Sequence, residues 1–142
     1  MKSLLIALCA LTGLASSPVQ AAEGRWTHGF GQGNHEFFVD QGNLRLYVSC
    51  LTSEDAASSI TLLDIPTGRE VTQFKVKVGQ QTWDGPVQGG SRVGADNYFS
   101  LLEALRKGPA TVSFAGKTVA FSATGAAQAI PAGRKATMCR AF

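Results

Sequence analysis

Residues 95–121, ADNYFSLLEALRKGPATVSFAGKTVAF, read as one helix running straight into a β-hairpin. Tyr98, Leu101, Leu102 and Leu105 recur at helical spacing and make a single apolar stripe, with Glu103, Arg106 and Lys107 off it. Asp96 or Asn97 has the short polar side chain that satisfies first-turn N–H groups, which places the helix at about 96–107. Arg106 and Lys107 fall in the last turn, where the helix dipole favours cations. Gly108 offers a left-handed closing position and Pro109 forbids continuation. The hairpin turns at Ala115, Gly116 and Lys117, with Val112, Phe114, Val119 and Phe121 as its apolar contribution.

Working back from this stretch, every other legible segment is a strand. Residues 25–30 read as a short strand before the turn Gly31-Gln32-Gly33-Asn34, and residues 35–39 (HEFFV) as an apolar strand. Residues 40–43 (DQGN) have hairpin chemistry. Leu44, Leu46, Val48 and Cys50 then alternate with Arg45, Tyr47 and Ser49, the period of a half-buried strand. Residues 60–65 (ITLLDI) and 71–78 (VTQFKVKV) continue the series, with Lys75 and Lys77 outward as a solvated face that discourages edge pairing. Residues 122–130 (SATGAAQAI) read as a short helix stopped by Pro131 and Gly133. Hairpins without alternating helices predict a mainly β fold: an antiparallel sandwich or partly open barrel of six to eight strands, with the helix packed across one end or edge.

Residues 1–21 have the pattern of a cleaved secretory signal peptide: Lys2, an apolar run over 4–14, and the small-residue site Val19-Gln20-Ala21. The run is shorter than the roughly 20 residues of a membrane span. Residues 22–142 are then expected to be a single β-rich domain, periplasmic or secreted. Without Lys2, 12 of the 13 basic residues remain against 10 acidic ones. That mild, scattered excess does not point to nucleic acid. With Cys9 in the leader, Cys50 and Cys139 are left, and an oxidising compartment makes them one disulfide.

Little in the chain carries chemistry. His28, His35, Glu36 and Asp40 are close in sequence, but neither Cys/His pairs at finger spacing nor HExxH occurs, so no metal and no cofactor are assigned. Ser91 in GGSRVG lacks the frame of a nucleophile elbow. Asp84 with Asp96, or Glu54 with Asp55, would be paired carboxylates, yet turns and caps account for each, so no catalytic residue is assigned. Gly29-Phe30-Gly31-Gln32-Gly33 is not a Walker frame and reads as a glycine-rich turn. Residues 79–94 (GQQTWDGPVQGGSRVG) read as a long irregular loop, the kind that carries function or moves. Within it Trp83, Asp84 and Arg92 are the candidate binding residues: an amphipathic aromatic anchor beside a carboxylate and a guanidinium. The bland alternative folds Trp83 back onto the core. Trp26 reads as core.

Residues 99–108 (FSLLEALRKG), 112–121 (VSFAGKTVAF) and the small-residue segment 124–129 (TGAAQA) resemble small exported bacterial proteins of the invasion-associated locus B type. The resemblance covers about a third of the domain. It implies a periplasmic or secreted β-rich protein without established catalysis, linked to the envelope or to host interaction. The expected function is a non-catalytic binding protein that engages a protein or envelope component, in host interaction or as an inhibitor or immunity protein. A small envelope hydrolase is the alternative of a different class, and a structural subunit of an envelope assembly a third.

Overall fold

A computed structural model describes residues 22–53, 56–133 and 139–142. The signal peptide expected at 1–21, Cys9 within it, and the Glu54 and Asp55 carboxylates lie outside the described residues.

The described residues form two antiparallel sheets and one long helix. Strands β1 (Thr27–Gly31), β2 (Asn34–Gln41), β3 (Leu44–Cys50), β4 (Ser59–Asp64) and β5 (Arg69–Glu70) lie side by side in chain order. The second sheet takes β6 (Phe74–Val78), β7 (Gln81–Gly85), β9 (Ala110–Phe114) and β10 (Lys117–Phe121) in the order β10-β9-β6-β7. The two-residue strand β8 (Val87–Gln88) returns the chain to the first sheet by pairing with β4. Sequence alternation sets what each face buries. Phe37, Val39, Leu46, Val48, Cys50, Ile60 and Leu62 line the inner face of the first sheet, and Phe74, Val76, Trp83, Ala110, Val112 and Phe121 that of the second. All belong to one core. The expected mainly β sandwich is the observed architecture.

Helix α1 (Arg92–Lys107) closes that core with Tyr98, Leu101, Leu102 and Leu105, each at most 1% exposed. Burying one such side chain stabilises by about 1.5–3 kcal/mol relative to leaving it in water. The helix bonds to both sheets: the Tyr98 hydroxyl donates to the Ser49 carbonyl on β3, and the Trp83 indole N–H on β7 donates to Ser100 Oγ. Arg106 donates to the carbonyls of Ile130 and Ala127, holding the short helix α2 (Ala126–Ala129) against the end of α1.

Two expectations about α1 are corrected. It starts at Arg92, four residues before the predicted start, because Ser91 rather than Asp96 or Asn97 is the cap: Ser91 Oγ accepts from the Gly94 N–H at 3.0 Å. Gly108 closes the helix in an extended conformation, φ −153°, not a left-handed one, since the chain goes directly into β9.

Cys50 and Cys139 are joined, with 89 residues of separation along the chain. The last residues are also stitched by backbone: Arg140 N–H donates to the Leu51 carbonyl, and the Arg140 carbonyl accepts from Ser58 N–H. No helix among the described residues is long and apolar enough to cross a membrane.

Candidate functional site

The irregular loop expected over 79–94 is instead ordered structure. Gly79, with φ +58°, begins a two-residue turn that pairs Val78 with Gln81 and folds β7 back on β6. Trp83 lies in mid-strand, opposite Val76 on the inner face. It is 9% exposed and its indole N–H is bonded to Ser100, so it is a core residue, as is Trp26. Asp84, the next residue, faces out and pairs with Lys75 Nζ at 2.5 Å, the two side chains 82% and 66% exposed. Arg92 opens α1 elsewhere on the surface. The three candidate residues therefore do not converge.

They also border different depressions. Asp84 and Lys75 line a groove of about 680 Å³ with Phe74, Phe114, Lys117 and Thr118. Cross-strand register lays Asp84, Lys75, Ser113 and Thr118 in one polar row across β7, β6, β9 and β10. Arg92 lines a groove of about 560 Å³ with Asp96, Phe99, Arg140 and Phe142. The Ser91 hydroxyl is engaged as the helix cap.

A more distinctive surface lies at the far end of the β1–β2 hairpin. The turn Gln32-Gly33, both residues with positive φ, sets His28 opposite Phe37 and Phe30 opposite His35. All four side chains fall on the inner face, but only Phe37 is buried. Phe30 is 65% exposed, its ring 4.7 Å from that of His35. His28 stacks on Phe37 at 5.0 Å, and His28 Nε2 lies 2.8 Å from His35 Nδ1. His35 is also the cross-strand neighbour of Cys50, so this patch continues the core past the disulfide into solvent. No group of three or more His, Cys, Asp or Glu that would hold a metal occurs among the described residues.

The same strand is a sheet edge. Trp26 N–H donates to the Thr124 carbonyl and its indole to the Ser122 carbonyl, which covers the start of the edge. Strand period then turns the backbone groups of His28 and Phe30 to the same side, where β1 has no further neighbouring strand among the described residues. The other edges are guarded: β5 is Arg69-Glu70, β7 carries Asp84, β10 carries Lys117, and β8 has only two residues. β1, THGFG, has no Asp, Glu, Lys or Arg.

On the outer face of the first sheet, Arg45 makes a bidentate pair with Asp40 at 2.6 and 2.8 Å and lies 4.0 Å above the Phe38 ring. The Asp40 hydrogen bonds push the guanidinium still further toward its charged form. Beside it, burial and then a hydrogen bond with Glu36 raise the Tyr47 phenol. Both features tie β2, the strand that bears His35, to β3.

The signal for this surface is in the sequence as a repeated His-x-Phe, at 28–30 and 35–37, flanking a glycine turn. No curated protein and no solved structure matches this chain. Residues 24–130, from just before Trp26 to the end of α2, match the model of the YfjT family, and on that span the chain belongs to the YfjT family.

Proposed function

We propose that this YfjT-family protein is a non-catalytic binding protein of the periplasm or cell exterior, whose contact surface is the end of the β1–β2 hairpin. It engages an extended segment of a partner protein in the envelope. The observation that carries this reading is Phe30, a large apolar side chain left 65% exposed on an uncharged edge strand. Aromatic anchors of this type dominate interface energetics, and an open edge offers main-chain hydrogen bonds to an added strand. The cysteine bond supports an oxidising compartment.

The test is capture from envelope extract by the parent protein, by Phe30→Ala and by Asp84→Ala, with folding checked by circular dichroism. A partner held by the parent and Asp84→Ala but lost by Phe30→Ala supports the hairpin surface. Equal capture by all three places the surface elsewhere. No capture by the parent counts against binding as the function.

A further inference from the structure

The histidine pair has a geometry that binding through Phe30 does not use. His28 Nε2 and His35 Nδ1 are 2.8 Å apart, while the ring centroids are 5.1 Å apart and the planes differ by 21°. The 2.3 Å between those two distances is the two centre-to-nitrogen radii laid end to end. The nitrogens therefore face each other along one line, and one N–H donates to the other ring's lone pair.

We propose that His28 and His35 form a two-imidazole site for a divalent first-row transition ion, with copper(II) held more tightly than zinc(II). The ion takes the place of the shared proton. That proton moves to the other nitrogen of its own ring, so a neutral pair gains the ion without losing a proton. At zinc–nitrogen distances of about 2.0–2.1 Å and a tetrahedral angle, the two nitrogens stand roughly 3.3 Å apart. The rings need to separate by about half an ångström and each to turn by roughly 35°, so that both lone pairs converge on the ion; side-chain torsions supply this with the Cβ atoms in place. His28 is exposed on the edge strand and His35 half-buried, so solvent and ions reach the pair.

Hairpin register supplies the rigidity: residues 27–31 are paired one to one with 34–38, which fixes both histidine Cβ atoms. Imidazole nitrogen selects copper, zinc and nickel over magnesium and calcium, and copper lies above zinc in the affinity order. The remaining coordination positions belong to water or to a group brought by another molecule. Occupancy also holds the ring against which Phe30 lies. This site departs from the sequence reading, which assigned no metal, because spacing seven apart is not a ligand signature until the hairpin turn is known. It stands whether or not Phe30 is a contact surface.

The experiment uses untagged protein, whose two histidines are the only ones in the sequence. Cu²⁺ and Zn²⁺ are titrated by calorimetry, and the imidazole proton resonances are followed by NMR. The expected result is one ion per chain, perturbation of both histidines, and no binding of Mg²⁺ or Ca²⁺. His28→Ala and His35→Ala should each weaken binding by at least about tenfold, since even outer-shell changes cost that much. Phe30→Ala, with both imidazoles kept, should retain the parent affinity within a few-fold. The proposal is overturned if the parent binds neither ion. It is equally overturned if either histidine variant, shown folded by circular dichroism, binds as tightly as the parent.

Discussion

The Tyr98 hydroxyl reaches from the middle of α1 to the carbonyl oxygen of Ser49, 3.2 Å away on the strand that bears Cys50. Tyr98 is fully buried, so its ring fills the core while its hydroxyl satisfies a backbone acceptor. Tyr98→Phe keeps the ring and should cost about 1 kcal/mol, the net worth of one hydrogen bond. Tyr98→Ala also opens a cavity and should cost about 3–5 kcal/mol. Urea denaturation of the two variants checks the split, and equal losses would mean the hydroxyl, not the ring, dominates.

Tyr98 and Tyr47 are the only tyrosines in the sequence, and burial raises both phenols above their ordinary value of 10.0. The folded state thus favours the protonated forms. Their contribution to stability is fully present below about pH 10 and is lost as pH rises toward the raised folded values. Tyrosinate absorbance should stay low until the fold opens, and Tyr98→Phe should flatten the alkaline fall in stability. A full tyrosinate signal from folded protein near pH 10 would contradict this.

A Cβ added at Gly94 would stand 2.0 Å from the Gln88 carbonyl oxygen, where β8 passes the first turn of α1. Backbone cannot yield as a side-chain tip can. Gly94→Ala should cost at least about 3 kcal/mol, the upper end for point substitutions. At Gly116 nothing lies within 4 Å and only its φ of +71° resists a side chain. Gly116→Ala should cost about 1 kcal/mol. Thermal midpoints of the pair separate collision from backbone conformation.

The Cys50–Cys139 bond closes a loop with a separation of 89 residues. In the chain-entropy account such a loop is worth about 4–5 kcal/mol. Reduction by dithiothreitol, or a double Cys→Ser replacement, should lower the urea midpoint accordingly. A midpoint unchanged by reductant would mean that the backbone bonds of Arg140 to Leu51 and Ser58 hold this end by themselves.

Where side chains repeat at a clear period, the fold was legible before the structure. The stripe Tyr98, Leu101, Leu102, Leu105 and the alternation from Leu44 to Cys50 name the buried faces correctly. The region before the helix was not legible for a physical reason. In QTWDG one apolar residue gives no period, and the glycines at 79, 85, 89, 90 and 94 imitate a loop. They serve instead as a tight turn and as close backbone approaches: at Gly85 an added Cβ would meet the Phe74 ring at 2.3 Å. Trp83 accordingly reads either as a binding anchor or as a residue folded back onto the core, and the structure shows the second; Ser91 carries no sequence mark as the cap. The candidate surface was half-visible. His28 and His35 are near neighbours in sequence, but their contact depends on the register set at Gln32-Gly33.

The cysteine bond has a further consequence, for survival rather than folding. Cys50 ends β3 and Cys139 lies among the last residues, so the chain from β4 through β10, with both helices, is enclosed in one covalent ring. A protease that cuts the chain once between them releases no fragment. The two pieces stay tethered and can reclose on the same core. Under non-reducing conditions such nicked protein would migrate as a single species, and only a reductant would reveal the cut.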